Sequence, residues 1–205
     1  MLVASARGTV ARFVGVTALG LAALSLAGCL RVPLGDPERS KVDERLAGFW
    51  LASVASDTGL LAPPKNERTV YCVRPFDQRT YLVTLMNYRT EDGVAAETIG
   101  TCTYKAWLTE VGGASFMTLE FMDPTDVFTA ESDREWAVLR YELAGETVAM
   151  RQAAASFSKR ATTPKELARF IRDNLADPAL YEGEKEIYRK LTRDEAEQLL
   201  KIFEK

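Results

Sequence analysis

The chain has 205 residues, 47% of them hydrophobic, and its 26 basic and 29 acidic side chains give a formal net charge of −3. It contains no histidine, which excludes Ser-His-Asp and Cys-His catalysis and every metal site that uses imidazole. The mild acidity argues against nucleic acid as a partner. No nucleophile elbow, P-loop or dinucleotide fingerprint occurs, so we expect a protein without enzymatic activity, cofactor or bound metal.

Residues 1–28 have the pattern of an export signal. Arg7 and Arg12 are the only charged residues before Cys29, and the uncharged run over 13–28 is short for a membrane span of about 20 residues. The run ends in "LAGC", which resembles the bacterial lipobox, in which the cysteine is lipidated and becomes the new N-terminus. The sequence therefore predicts a signal peptide over 1–28 and a membrane anchor of acyl chains, such as palmitate, on Cys29. The alternative is an uncleaved membrane anchor.

The mature chain predicted to begin at Cys29 has 24 basic and 29 acidic residues, a net charge of 24 minus 29, or −5. Attachment to the membrane would therefore depend on the acyl chains rather than on attraction to anionic lipid. Leu30 follows the cysteine, in place of the aspartate that commonly marks inner-membrane retention. In a Gram-negative cell we therefore expect an outer-membrane lipoprotein that faces the periplasm.

Residues 29–45 read as a tether followed by a helical lead-in. The run "LRVPLGDPERSK" has two prolines and a glycine, and at about 3.3 Å per residue it would extend to roughly 40 Å. The next residues, "VDERLAG", are compatible with one helical turn before the first strand.

Strand signals recur between residues 46 and 158. The runs "RTVYCVR" and "TYLVTLMNY" are separated by the short turn "PFDQ", and Gly112-Gly113 and Ala144-Gly145 mark two further hairpins. Counted generously, this makes seven or eight strands, each joined to the next by a short turn. The fold class is therefore mainly β, an antiparallel meander that closes into a barrel or folds into a sandwich.

Cys72 and Cys102 both lie in strand-like runs. Because export would place them in an oxidising compartment, we predict a disulfide between them. Closing that loop of about thirty residues would contribute roughly 3 to 4 kcal/mol to stability. The alternative is two buried free thiols on separate strands.

Residues 159–205 predict two helices. Thr163 with Glu166, and Thr192 with Glu195, have the spacing of capping boxes, and an apolar stripe follows each. The simpler interpretation is that both stripes pack on the barrel. The alternative is an exposed stripe that recruits a protein partner in the cell envelope.

Two groups of charged residues are candidates for binding. Carboxylates cluster in the acidic loop, where they are compatible with calcium or with a solvated surface: Glu120, Asp123, Asp126, Glu131, Asp133 and Glu135. The second group, Lys105, Arg140 and Arg151, lies inside strand-like runs. These side chains either point into water or turn into the barrel and meet an acidic ligand head group, and we single out Arg140 and Arg151 for the second role.

The first strand opens with "GFW", a G-x-W formed by Gly48 and Trp50. With its helical lead-in, the run of hairpins and a C-terminal helix, this layout resembles the lipocalins and the broader calycin group over roughly residues 42–172. The resemblance implies a barrel in which Trp50 points inward at the closed end and Gly48 lets the chain approach closely at the start of the strand. It also implies an arginine packed over the tryptophan, either Arg140 or Arg151.

Two functions follow as hypotheses. In the first, the resemblance implies a membrane-anchored barrel that binds a small apolar ligand such as a lipid or fatty acid. In the second, side chains fill the barrel, and the protein is an envelope interaction or assembly factor without a ligand.

Overall fold

The structure is a computed structural model that describes residues 30–52, 67–91, 94–122, 136–154 and 161–203. These ranges form two helices, α1 (Pro164–Asp173) and α2 (Arg193–Phe203), and eight strands: β1 (Gly48–Ala52), β2 (Glu67–Pro75), β3 (Thr80–Glu91), β4 (Val94–Val111), β5 (Ala114–Phe121), β6 (Trp136–Ala144), β7 (Thr147–Ala153) and β8 (Tyr181–Lys190). Each strand pairs with the next in antiparallel fashion, and β8 pairs with β1, so the sheet closes. The predicted meander barrel is confirmed, and it is compatible with a lipocalin-like fold.

The barrel closes later in the chain than the sequence predicts. β8 lies between α1 and α2, so the barrel extends to Lys190 instead of ending at residue 158. The sequence of β8, "YEGEKEIYRK", lacks the apolar alternation that marks a half-buried strand, and residues 182–187 are exposed. The strand forms because the free edge of β7 presents backbone N–H and C=O groups that need partners.

The two ends of the barrel differ. The short turns at residues 76–79, 112–113 and 145–146 lie at one end, together with the start of β1 and the end of β8, and we call this end the base. The opposite end, which we call the mouth, contains Ala52, Phe121 and Ala153 at the ends of their strands. Residues 53–66 and 123–135 lie outside the described residues.

Alternate residues of each strand point inward and form the main core. Leu46 closes the base beneath Trp50 and Tyr81, all three of them almost fully buried. The other buried interior residues are Tyr71, Val73, Val83, Leu85, Ala106, Met117, Leu119, Ala137, Leu139, Val148, Met150 and Tyr188.

Two further apolar clusters lie on the outer wall of the barrel. In one, Leu167 and Ile171 of α1 cover the outer faces of β4 to β7. In the other, Leu199 of α2 packs on Val70 and Met86 of β2 and β3. α1 thus buries its apolar face against the sheet, and α2 packs on it through Leu199 while Leu200 is exposed. Packing on the barrel is the simpler of the two arrangements predicted from the sequence.

The segment predicted as a tether is instead packed on the outer wall. Residues 30–46, which we call the strap, run from the mouth to the base. Leu30 exchanges two backbone hydrogen bonds with Trp136, at 2.7 and 3.0 Å. Leu34 is 0% exposed, and its carbonyl accepts hydrogen bonds from Trp107 Nε1 at 2.8 Å and Thr118 Oγ1 at 2.9 Å. The prediction of an extended tether is wrong. It was based on the prolines and charges of this segment, but the burial of Leu30 and Leu34 holds the segment against the wall.

The strap ends beneath the base in a turn of 3-10 helix, Glu44–Leu46. Asp43 caps this turn by accepting from the Arg45 backbone N–H, and the Tyr81 hydroxyl donates to the Asp43 carbonyl. The helical turn predicted before the first strand is present, in the tighter 3-10 form.

Both helices begin with the predicted caps. At α1, Thr163 Oγ1 accepts from the Glu166 backbone N–H at 3.2 Å. At α2, Thr192 Oγ1 accepts from the Glu195 N–H, and Glu195 accepts from the Thr192 N–H in return. A hydrogen bond from Arg189 and this cap lower the pKa of Glu195 to about 2. No helix in the described ranges has the length and apolar character needed to cross a bilayer.

Candidate functional site at the mouth of the barrel

The G-x-W motif lies at the base of the barrel. Trp50 is 1% exposed, and its indole Nε1 donates to the Leu46 carbonyl at 2.8 Å. Gly48 has φ +134°, and a Cβ at this position would lie 2.7 Å from Lys190 Cε. The backbone angle favours glycine here, because a residue with a side chain would be strained at this positive φ. The base is therefore a structural plug.

A lysine from the last strand packs over this tryptophan. Lys190 Nζ lies 5.3 Å from the centre of the Trp50 ring, within the range of a cation–π contact, and donates to the Arg45 carbonyl at 3.0 Å. The packing that the resemblance assigned to Arg140 or Arg151 is thus made by Lys190. Lys190 is absent from the candidates predicted from the sequence because the resemblance implies an arginine and because β8 lacks the apolar alternation of a strand.

Arg140 and Arg151 lie on the outer wall of the barrel. They face each other across β6 and β7, and their neighbours Leu139 and Met150 point inward, so strand alternation turns both arginines outward. Both guanidinium groups stack on Tyr181, at 5.8 and 4.9 Å from its ring centre. The hypothesis that these arginines meet a ligand inside the barrel is therefore wrong.

Inward-facing polar groups lie on the mouth side of the core and form what we call the tyrosine cluster: Tyr71, Tyr104, Glu186 and Tyr188. The rings of Tyr71 and Tyr188 meet edge to face, with their centres 5.3 Å apart. The Tyr188 hydroxyl donates to the Glu186 carboxylate. Tyr104 also contacts Phe121 at the mouth, edge to face, with ring centres 5.7 Å apart.

The tyrosines of the cluster stay protonated. Burial raises the pKa of Tyr71, and the nearby Glu186 charge raises it further. Burial likewise raises the pKa of Tyr188, with Tyr71 and Glu186 adding to the effect. Both phenols are therefore neutral at physiological pH, where they serve as hydrogen-bond donors within an apolar interior.

Glu186 is the exposed member of this cluster. Glu186 pairs with Met150, a buried core residue, so its side chain is on the interior face of β8. It is nevertheless exposed, while Tyr188, to which it is hydrogen-bonded, is only 3% exposed. The Glu186 carboxylate thus reaches solvent from the interior face of β8, whereas Tyr71 and Tyr188 beside it are buried.

The two cysteines are free thiols, so the predicted disulfide is wrong. Cys72 packs under α2 on the outer wall, and Cys102 packs against the interior core. β3 runs between their two strands, which puts them about 9 to 10 Å apart, beyond the reach of a disulfide. Burial raises the pKa of the Cys72 thiol.

The acidic loop lies almost entirely outside the described residues. Glu120 is at the end of β5, and the other five carboxylates predicted for this loop fall within 123–135. Across the described ranges, no group of three or more cysteine and carboxylate side chains is placed to hold a metal ion. Cys29 and the signal segment also lie outside the described residues.

A surface groove of about 360 Å³ separates α1 from the turn between β4 and β5. Lys165, Arg169 and Arg172 line it from the helix, and Glu110 and Gly112 line it from the sheet. The three cations recur at helical spacing on an exposed face, which is the ordinary arrangement of a solvated surface. The groove lies outside the barrel and is separate from the tyrosine cluster.

Comparison of the chain with protein-family models, curated proteins and solved structures finds no match.

Proposed function

We propose that the mature protein is a lipid-anchored barrel of the bacterial envelope that binds a small apolar ligand at the tyrosine cluster. The lipobox at "LAGC" supports the anchor on Cys29, and Leu30 supports an outer-membrane location facing the periplasm. No catalytic residue is assigned, and the proposed role is binding. The closed eight-stranded barrel is the scaffold that this role needs.

The observation that carries the binding proposal is the exposed Glu186 carboxylate on the interior face of β8. In a small barrel filled by its own side chains, a residue at this position would be buried. Here an exposed carboxylate and a buried tyrosine are hydrogen-bonded on the interior wall, next to apolar core residues. A concave, mostly apolar surface with a few converging polar groups is the usual form of a small-molecule site.

The chemistry of the cluster narrows the class of ligand. Tyr104 and Phe121 offer aromatic surface to an apolar body. The Glu186 carboxylate disfavours a second anion beside it. We therefore favour a neutral acyl lipid over a free fatty acid as the ligand.

Native mass spectrometry and lipid extraction of the purified mature domain test the proposal. We expect a co-purifying ligand, and saturable binding of the neutral apolar probe N-phenylnaphthylamine that is stronger than binding of the anionic cis-parinaric acid. Glu186→Gln should raise the affinity for the anionic probe. The matched control is Glu146→Gln, because Glu146 is an exposed carboxylate on a turn at the base, and that variant should leave both affinities unchanged.

A clean apo mass together with no saturable binding of either probe would contradict the proposal. The side-chain-filled barrel that acts as an envelope interaction factor would then be the better interpretation. The anchor is tested independently: labelled palmitate should be incorporated into the wild type and not into Cys29→Ala.

A further inference from the structure

The strap fixes where the chain leaves the barrel toward Cys29. Leu30 is 1% exposed and is held to Trp136 by two backbone hydrogen bonds at the mouth end of β6. One peptide unit, about 3.8 Å between Cα atoms, separates Leu30 from Cys29. An anchor on Cys29 therefore starts at the rim of the mouth.

The strap also leaves no slack between the anchor and the barrel. Beyond Leu30, the Leu34 carbonyl accepts two hydrogen bonds from β4 and β5 side chains, at 2.8 and 2.9 Å. Gly35 is so close to the wall that a Cβ there would lie 2.0 Å from Thr109 Oγ1. Ser40 Oγ then accepts from the Leu108 backbone N–H at 2.9 Å. The hydrogen bonds of Leu30 and then those of Leu34 would have to break before the anchor could move away from the mouth.

The rim beside Leu30 carries exposed apolar side chains. Phe121 and Met122 follow one another at the end of β5 and are 49% and 43% exposed. β5 is the strand that pairs with the start of β6, where Leu30 is held. Two large apolar side chains thus face solvent on the strand next to the predicted attachment point.

We propose that the anchor holds the mouth of the barrel against the lipid bilayer, with Phe121 and Met122 in contact with the membrane interface. This inference rests on the lipid anchor of the proposed function and adds an orientation to it. The occupant is the bilayer that carries the acyl chains, because the attachment point and the exposed pair lie at the same rim. A ligand would then pass between the membrane and the tyrosine cluster without crossing water.

The test is a pair of environment-sensitive labels at opposite ends of the full acylated protein. A nitrobenzoxadiazole group is attached at Met122→Cys or at Phe76→Cys, in a Cys72→Ala, Cys102→Ala background. Phe76 is the matched control because it is an exposed aromatic residue, 65% exposed, in a turn at the base. Each protein is reconstituted into vesicles of phosphatidylethanolamine and phosphatidylglycerol with and without spin-labelled lipid, and circular dichroism checks the fold.

We expect a blue shift and quenching by spin-labelled lipid at position 122 and neither at position 76. A flexible spacer of about 20 residues between Cys29 and Leu30, with a mean span of about 25 Å, should abolish the quenching at position 122. Quenching at position 76, or at neither position, overturns the orientation. If quenching at position 122 persists in the spacer variant, the proposed orientation is also overturned, because something other than the anchor would then orient the barrel.

The mass of the N-terminal peptide separates the two possible failures. If Cys29 carries acyl groups and the label at position 76 is quenched, or neither label is, the orientation alone is refuted. A peptide without acyl groups would refute the anchor and the orientation together.

Discussion

Replacing Leu34 by alanine tests whether the strap belongs to the folded core. Leu34 is 0% exposed and packs with Phe116 and Val138 on the outer wall. Removing three carbons costs about 2.4 kcal/mol at about 0.8 kcal/mol each. The cavity left behind adds to this, and buried Leu→Ala changes cost about 2–5 kcal/mol overall. We therefore expect the free energy of unfolding to fall by about 3 kcal/mol.

The assay is urea unfolding of the chain from Leu30 onward, followed by tryptophan fluorescence. Trp107 is a suitable reporter because its indole donates to the Leu34 carbonyl. In thermal unfolding, a domain of this size should lose about 6–12 °C in Tm, at about 2–4 °C per kcal/mol. Leu200→Ala is the matched control, since Leu200 is 39% exposed on α2 and should change stability by no more than about 0.5 kcal/mol.

An equal loss of unfolding free energy in Leu34→Ala and Leu200→Ala would show that Leu34 is not part of the folded core. A strap that hangs free as a tether would give Leu34→Ala a change near zero, and the orientation of the mouth would then lose its structural basis.

Three further predictions concern the thiols, the G-x-W glycine and the cap of α2. Cys72 and Cys102 should both react with a thiol reagent after unfolding without reductant, and a mass two hydrogens lower would show the disulfide instead. Gly48→Ala should destabilise the fold by about 1–3 kcal/mol in urea unfolding because its φ is +134°, whereas Gly100→Ala, with open space around it, should be nearly neutral. The folded-state pKa of Glu195, about 2, lies below its ordinary value of 4.5, so its stabilisation is present above pH 4.5 and is lost as the pH falls toward 2. Glu195→Gln should therefore cost under about 1 kcal/mol at pH 7, because the pair is exposed, and the cost should disappear near pH 2; a cost independent of pH would contradict this.

Local signals in the sequence were reliable where they act over a few residues. The hairpin glycines at 112–113 have positive φ, as tight turns of this kind require, and the caps at Thr163 and Thr192 form as their spacing predicts. The alternation of apolar residues indicated strands, and short turns between strands indicated an antiparallel meander. Neighbours in the chain decide these features, so one sequence is enough to recognise them.

Features that depend on distant parts of the chain were missed. β8 is polar along most of its length and forms because β7 and β1 provide edges for it to join. The strap has the composition of a linker and is bound because the outer wall offers a site for Leu34. The side of the sheet on which a cysteine lies depends on strand register, which a short run of residues does not reveal.

At the candidate site, too, local features were predictable from the sequence and contacts between distant residues were not. The sequence by itself determined the class of fold, the G-x-W at its first strand and the absence of histidine, and it predicts the export signal that ends at Cys29. Only the tertiary structure decided that Arg140 and Arg151 face outward, that Lys190 covers Trp50, and that Glu186 meets Tyr188 inside the barrel. Closing a barrel brings together the first and last strands, and no local pattern encodes a contact between residues that are about 140 positions apart.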